Sequence, residues 1–399
     1  MNKVQKTIFK ASWLLPVSSP PIASGALMIE NDIITAVGPA KEILSEKTAE
    51  TKIVDFGDAV IAPSWVNAHT HLELSAFKNE VVEFTDFPNW IRQLLAARLD
   101  ITQKEMAASA KEAMQQLVSS GCALAGDITN GDLISSDKLH ADLERVVFYE
   151  SFGFRGDRAD EIFQQILDIK QLENPNAVLS PHALYSTSME LIQKIAAVSS
   201  PFTIHMAESP EESEFLQTGS GLFKDFLIER GVWDQKWQPP GCSPAEYLSR
   251  NINLDKNSLL VHGVHVSQAD MDIIKKAGAA VCICARSNAH TNAGRAPVEK
   301  YLAKKIPLCI GTDSMACNVD LDMNNEIYYL YLNFPGTAPR DLIKAASLNG
   351  AEILGKGREL GSLQTGKKAG INVFFSRDAS VTDPEEFVVS KSWSEMKCF

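Results

Sequence analysis

Four histidines and one aspartate stand where a parallel-strand enzyme would keep its reactive groups. The apolar run opening at Ala59 ends in Asn67-Ala68-His69-Thr70-His71. Residues two apart on a strand point to one side, so His69 and His71 can offer both imidazoles to a single ion. His205 closes the run Pro201 to Ile204, His262 follows Leu259 to Val261, and Asp313 follows Leu308 to Thr312. Each polar group ends a segment otherwise suited to burial. Neutral imidazoles with one carboxylate fit one divalent metal ion of borderline hardness, Zn2+ first and Fe2+ second, and no thiolate is present to close a structural zinc site. A position is left for water.

Glu208 lies three residues beyond His205, in His205-Met206-Ala207-Glu208-Ser209. A carboxyl there can reach a water at the ion without ligating the ion, as a proton shuttle must. The competing reading is a charge at a helix start, since Ser209-Pro210-Glu211-Glu212 resembles a capped N-terminus. His262 reads either as a ligand or as a second polarising group, and His265 as a structural or rim residue. Trp90 and Arg92 read first as an amphipathic helix face and second as pocket lining. Cys282 and Cys284 sit inside an apolar strand run and read as core.

The elements that must position these groups alternate between strand and helix after Pro63, the pattern of parallel strands with crossover helices. Eight strand candidates follow: Ala59–Asn67, Cys122–Asp127, Val146–Ser151, Ala177–Ser180, Phe202–His205, Ser258–His262, Ala280–Cys284 and Pro307–Gly311. Eight is the number of a (β/α)8 TIM-type barrel, whose reactive groups gather at the C-terminal strand ends. Gln103–Ser119, Arg158–Gln171 and Ser188–Ala197 carry the i, i+3, i+4 apolar spacing of covering helices. Before residue 60 the chain reads as short strands: Lys6–Leu15, Gly25–Glu30, Ile33–Val37 and Lys52–Asp55. Gly361–Phe375 returns to strand character, so the order predicts a small β domain built from both chain ends. The stretch Thr218–Arg250 reads equally as an ordinary connection or as a loop over the site.

The formal charge of -12 argues against a nucleic-acid partner and suits a small neutral or cationic substrate. Seven cysteines without regular spacing argue against a disulfide framework and for reduced thiols in a cytoplasmic setting. No export signal and no run of eighteen apolar residues is legible, so no membrane partner is expected.

The segments Ala62-Pro63 to His71, His205 to Glu208, His262 to His265, Gly311-Thr312-Asp313-Ser314 and Gly361 to Ala369 resemble the amidohydrolase superfamily, in its branch of mononuclear deaminases and chlorohydrolases. The resemblance covers nearly the whole chain. It implies an α/β fold, a barrel over residues 61–360 with a small β-sandwich domain from 1–60 and 361–399, and a homodimer with no residue locating its interface. It assigns the metal to His69, His71, His205 and Asp313, the proton shuttle to Glu208, and an orienting role to His262. Ser180-Pro181-His182 stands where binuclear relatives carry a bridging lysine, which implies one metal and makes His182 a substrate contact. Asp313 would take the proton of the attacking water while Glu208 protonates a ring nitrogen.

His69-Thr70-His71-Leu72-Glu73-Leu74-Ser75 and Arg286-Ser287-Asn288 look like a bacterial subgroup of aminodeoxyfutalosine deaminases of menaquinone biosynthesis. That narrower likeness implies a 6-aminopurine nucleoside substrate, with His182, Glu208 and Arg286 as substrate-binding residues. The rival readings are a guanine- or cytosine-type deaminase, a chlorohydrolase, and a non-catalytic binding protein that keeps the metal site.

Overall fold

The computed structural model describes residues 6–81, 83–131, 133, 134, 143–377 and 381–399. The strands are β1 Lys6–Leu14, β2 Ile22–Glu30, β3 Ile33–Pro39, β4 Lys52–Asp55, β5 Ala59–Pro63, β6 Trp65–Thr70, β7 Cys122–Thr129, β8 Glu144–Ser151, β9 Val178–Pro181, β10 Phe202–Met206, β11 Ser258–His262, β12 Ala280–Ile283, β13 Leu308–Ile310, β14 Ile371–Phe375 and β15 Glu395–Cys398. β6 to β9 form one four-stranded parallel sheet in chain order, and β10 to β13 form a second.

Single parallel bridges join the two sheets at both edges, Ala183 with His205 and Thr70 with Asp313. The backbone N–H of His205 donates to the His182 carbonyl at 2.9 Å, and that of Asp313 to the His69 carbonyl at 3.1 Å. β10 to β13 are buried along their whole length, as strands covered on both faces must be. Crossover helices supply that cover. The helix Gln103–Ser119 starts from a capping box of Thr102 with Glu105 and turns Met106, Ala110, Ala113, Met114 and Leu117 inward, the predicted 3.6-residue stripe.

The two chain ends share a seven-stranded sheet ordered β15-β14-β5-β1-β2-β3, with β4 beside β1. β14 runs antiparallel to β5, and Phe9, Phe56, Phe375 and Phe399 pack their rings together at its edge. The expected single strand Ala59–Asn67 is two strands. At Ser64, whose N–H donates to Gly370, the chain leaves the antiparallel partner β14, and Trp65 donates to Gly121 as β6 takes the parallel partner β7. Pro63 lacks an amide and so marks the natural place for that change of partner. Trp65 is fully buried directly after it, with its indole N–H donating to the Asn324 side chain at 2.9 Å. The helix Pro384–Val389 and the strand β15 were not legible in the tail. Among the described residues no helix is long and apolar enough to cross a membrane.

Gly311, just past β13, shows how tightly the strand ends approach. A Cβ built there would stand 2.8 Å from the His69 carbonyl oxygen and 2.8 Å from the Cys282 sulfur. Gly311→Ala is expected to lower stability by about 1–3 kcal/mol, the usual cost of overpacking a close-packed site. A denaturant titration checks this, and an unchanged midpoint would show that β6 and β13 can part without cost.

Candidate active site

The strand ends deliver their side chains to one place. His69 lies on β6, His71 one residue beyond it, His205 on β10 and His262 at the last position of β11. The His69 ring centroid is 4.9 Å from that of His71 and 4.8 Å from that of His205, and His71 Nε2 is 3.4 Å from His205 Nε2. Asp313 Oδ1 is 3.6 Å from His71 Nε2 and 3.9 Å from His69 Nε2. His262 Nε2 is 3.4 Å from Glu208 Oε1 and 4.0 Å from Asp313 Oδ2. All are nearly or fully buried. The two-residue alternation predicted the convergence of His69 and His71, and the barrel rule predicted the remainder.

Charge in this space is governed by burial. Burial, followed by the neighbouring imidazoles, holds His69 well below the usual histidine range, and burial with His262 and His71 pulls His205 down to about 3. Both rings are therefore neutral at pH 7. Burial pushes the Asp313 carboxyl up, but the surrounding imidazoles and the Ser287 hydroxyl outweigh it, and the net shift is downward. Burial, Asp313 and Glu212 all push Glu208 well above the carboxylate range. The site thus pushes its two carboxyls in opposite directions, Asp313 down and Glu208 up, the separation that acid and base work at one pH uses.

The polar neighbours fix tautomers. His205 Nδ1–H donates to the His182 carbonyl at 2.8 Å, which leaves Nε2 as the lone-pair nitrogen. His262 Nδ1–H donates to Asn288 Oδ1 at 2.9 Å, leaving its Nε2 free as well. The Ser287 hydroxyl donates to Asp313 Oδ2 at 2.7 Å. His69 Nδ1 and Nε2 and His262 Nε2 are buried with no hydrogen-bond partner in the protein. A buried polar atom without a partner costs about 1–3 kcal/mol, so several together call for a further group. Three imidazole nitrogens and a carboxylate oxygen have the donor chemistry of a divalent cation, and His69, His71 and His205 lie close enough to share one. Glu208, His262 and Asp313 form an adjoining cluster of the same kind.

His71, His205, Glu208, His262 and Asp313 line a cavity of about 530 Å³. Its wall is largely apolar, with Phe77, Trp90, Leu94, Phe152, Phe154 and Phe226 among its lining. His182 lines it, with Nδ1 2.6 Å from the Ser186 hydroxyl and its ring 4.5 Å from that of Phe152. Trp90 belongs to the pocket, whereas Arg92 turns away to pair with Glu229 at 2.7 Å and lies over Phe226. The 218–250 stretch does contribute to the mouth: Phe226, Leu227 and Arg230 belong to the helix Leu222–Glu229 and its end, and Val232 follows. Its Trp233 and Trp237 pack against Phe154 and Phe215.

Arg286 is a correction. Its guanidinium is held by both Asp320 oxygens, at 2.8 and 3.1 Å, and it is not among the residues lining the cavity. An arginine meeting a carboxylate with both of its oxygens is held there, and its neighbours Ser287 and Asn288 carry the segment's link to the site instead. His265 is structural, its ring nitrogen meeting the Ala293 carbonyl at 2.6 Å. Cys282 and Cys284 are core residues.

Sequence reasoning missed Glu73, Glu150 and Asn130, all of which line the cavity. Glu150 ends the run Val146-Val147-Phe148-Tyr149, the same signal that singled out His205. Burial, then Glu73 and Asp313, pushes its carboxyl well above the usual range. Glu73 is buried too, accepting from the Thr129 hydroxyl at 2.9 Å and the Asn130 amide at 3.2 Å.

The sequence profile of the amidohydrolase family matches residues 60–392. Aminodeoxyfutalosine deaminase of Deinococcus radiodurans is 28% identical over 350 residues, covering 83% of this chain and 81% of the relative. A 5-methylthioadenosine/S-adenosylhomocysteine deaminase of Moorella thermoacetica is 26% identical over 397 residues, covering 96% and 88%. In fold, the crystal structure of Helicobacter pylori aminofutalosine deaminase, solved with methylthio-coformycin, superposes with a TM-score of 0.83 at 22% identity, over 98% of this chain and 97% of the other.

Protein stripped of metal by a chelator is expected to melt at a higher temperature once stoichiometric Zn2+ or Fe2+ is restored, because an ion that binds only the folded state stabilises it by mass action. His69→Ala is expected to abolish the rise. An equal shift in both proteins would place the ion elsewhere.

Proposed function

The chain belongs to the amidohydrolase family, and from that premise we propose that it is a metal-dependent aminohydrolase that removes the 6-amino group of an adenosine-type nucleoside as ammonia. The observation that carries this reading is the buried group of Glu208, His262 and Asp313 lining the cavity, with Glu208 Oε1 3.4 Å and Asp313 Oδ2 4.0 Å from the same His262 nitrogen. His69, His71, His205 and Asp313 would hold one divalent ion, with Zn2+ favoured by the three imidazoles. Such an ion, when bound, supplies Lewis-acid activation of water.

The protein's own groups do the rest. Asp313 accepts the proton of the attacking water, while the Ser287 hydroxyl on Oδ2 keeps the carboxylate turned to the site. His262, its Nδ1–H tied to Asn288, presents Nε2 as an acceptor and orients that water. Glu208 gives its proton to a ring nitrogen, which makes the neighbouring amino-bearing carbon electrophilic. The water oxygen bonds to that carbon, Asp313 passes the proton it took to the amino nitrogen, the carbon–nitrogen bond breaks with its electron pair going to nitrogen, and ammonia leaves as the remaining hydroxyl proton returns to Glu208. His182 contacts the ring, its Nδ1–H donating to Ser186 so that Nε2 is an acceptor. The apolar wall favours a nucleoside with a bulky 5′ substituent, such as aminodeoxyfutalosine, over free adenine, since a large apolar group gains roughly 25 cal/mol per Å² on leaving water.

The same reading closes the eight parallel strands into a (β/α)8 barrel over residues 61–360. It makes 1–60 with 361–399 a separate β-sandwich domain, supported by the shared sheet of the two ends.

The test is ammonia release by zinc- or iron-loaded enzyme on aminodeoxyfutalosine, adenosine, methylthioadenosine, adenosylhomocysteine, guanine and cytosine. Release is expected from a 6-aminopurine nucleoside, with Glu208→Gln slower by about 10²–10⁴-fold, the usual worth of a general acid. Silence across the panel with metal bound would sink the deaminase reading and point to another leaving group.

A further inference from the structure

Four described helix starts have a hydroxyl residue followed three positions later by an acid, at Thr102, Ser209, Ser243 and Ser267; at Ser243 the acid, Glu246, pairs with Arg250 instead, and only at Ser209 does the acid hold the amide of the residue before the cap. At Thr102 and Ser267 the acid closes an ordinary capping box: the Thr102 amide donates to Glu105 at 2.8 Å, and the Ser267 amide to Asp270 at 2.7 Å. At Ser209 the hydroxyl still accepts from the Glu212 amide at 3.3 Å. The Glu212 carboxylate, however, reaches one residue further back and accepts from the amide of Glu208 at 2.9 Å.

That amide belongs to the peptide unit joining Ala207 to Glu208. The carbonyl of the same unit accepts from the amides of Val264 and His265, each at 2.9 Å, in the loop that follows His262. One peptide plane is thus held at both ends, by Glu212 on its N–H side and by the His262 loop on its carbonyl side. Its rotation sets the direction in which the Glu208 side chain leaves the backbone. The plane needs holding, because Ala207 has a φ of +53°, a left-handed conformation that an alanine does not adopt by preference. Glu212 itself is fully buried, and the described residues form no salt bridge with it. A buried carboxylate without a cation is an expensive way to start a helix, since Glu105 does the same work in solvent.

We infer that Glu212 is a positioning residue for the proposed reaction: its carboxylate holds the Ala207–Glu208 peptide so that the Glu208 side chain stays within reach of His262 and the substrate ring. This rests on the role given to Glu208 above. It requires reach and an acceptor oxygen rather than negative charge.

The two conservative substitutions therefore separate this role from a structural one. Glu212→Gln keeps the length and an acceptor oxygen but loses the charge. Glu212→Asp keeps the charge but shortens the arm, so that, like Asp270, it would close the ordinary box on the amide of its own cap. In metal-loaded enzyme, kcat of Glu212→Gln is expected to stay within about threefold of wild type, whereas Glu212→Asp loses about 30-fold with KM and metal content nearly unchanged, a loss on the scale of a catalytic group displaced by about an ångström. Hydrogen–deuterium exchange at the Glu208 amide gives a second readout, expected to be slow in wild type and the Gln variant and fast in the Asp variant. An Asp variant at least as active as the Gln variant, or one whose Glu208 amide stays protected, overturns the inference. Should the Asp variant fail to fold, Glu212→Met takes its place, and equal kcat in the Met and Gln variants overturns it likewise. If wild type releases no ammonia and Glu208→Gln changes nothing, the functional reading fails, while the exchange measurement still decides whether Glu212 holds the peptide.

Discussion

The candidate site is organised by the two places where one parallel sheet meets the other. Each meeting is a single backbone bridge, and each bridge includes one residue that also faces the cavity: His205 with the His182–Ala183 segment, and Asp313 with His69–Thr70. The hydrogen bonds that join the sheets therefore also set the spacing of the side chains. Were β13 to slide against β6, Asp313 would move from the His69–His71 pair at once. The absence of a side chain at Gly311 lets the strands come this close, and buried polar contacts lock the approach. Asn67 donates to the Thr312 hydroxyl at 2.7 Å, and the Thr70 hydroxyl to the Asp313 carbonyl at 2.8 Å.

Drawing so many ionisable groups together out of water has a consequence for their charge. Burial holds the His69 and His205 imidazoles below the usual histidine range and pushes the Glu208 and Glu150 carboxyls above the usual carboxylate range. Asp313 alone of the site's carboxyls goes the other way, because it is ringed by imidazoles and held by a hydroxyl. The same burial that costs stability therefore creates the unequal acid and base strengths on which the chemistry depends. The unpartnered nitrogens belong to the same picture: His262 Nε2 and one of the two His69 nitrogens are lone pairs open to a group from outside the chain.

Backbone strain collects at the site as well. Ala207, His262 and Asp313 all have left-handed φ values, +53°, +72° and +57°; Ala207 directly follows β10, His262 ends β11, and Asp313 lies three residues past β13. Such residues cost on the order of 1–3 kcal/mol each and persist only where their surroundings over-determine them. Around Ala207 those surroundings are the amides of Val264 and His265 and the Glu212 carboxylate. Around Asp313 they are the bonds to His69, Thr70 and Ser287.

Much of this was legible in the chain alone, for a local reason. A strand's two-residue alternation and a helix's 3.6-residue stripe are properties of neighbouring residues, so the strands from Cys122 onward, the helix Gln103–Ser119 and the set His69, His71, His205, Glu208, His262 and Asp313 could be read directly from spacing and residue type. What depends on contacts between distant residues could not be read. The division of Ala59–Asn67 at Ser64 is decided by β14 and β7, both of which lie far downstream in the chain. Arg286 was misplaced because its partner Asp320 is distant in sequence, and Glu73 and Glu150 went unread because only packing brings them to one wall. The sequence by itself determined which groups are present and the order in which strands deliver them. Only the tertiary structure decided their distances, charges and tautomers, since these arise from burial and from hydrogen bonds between residues tens to hundreds of positions apart.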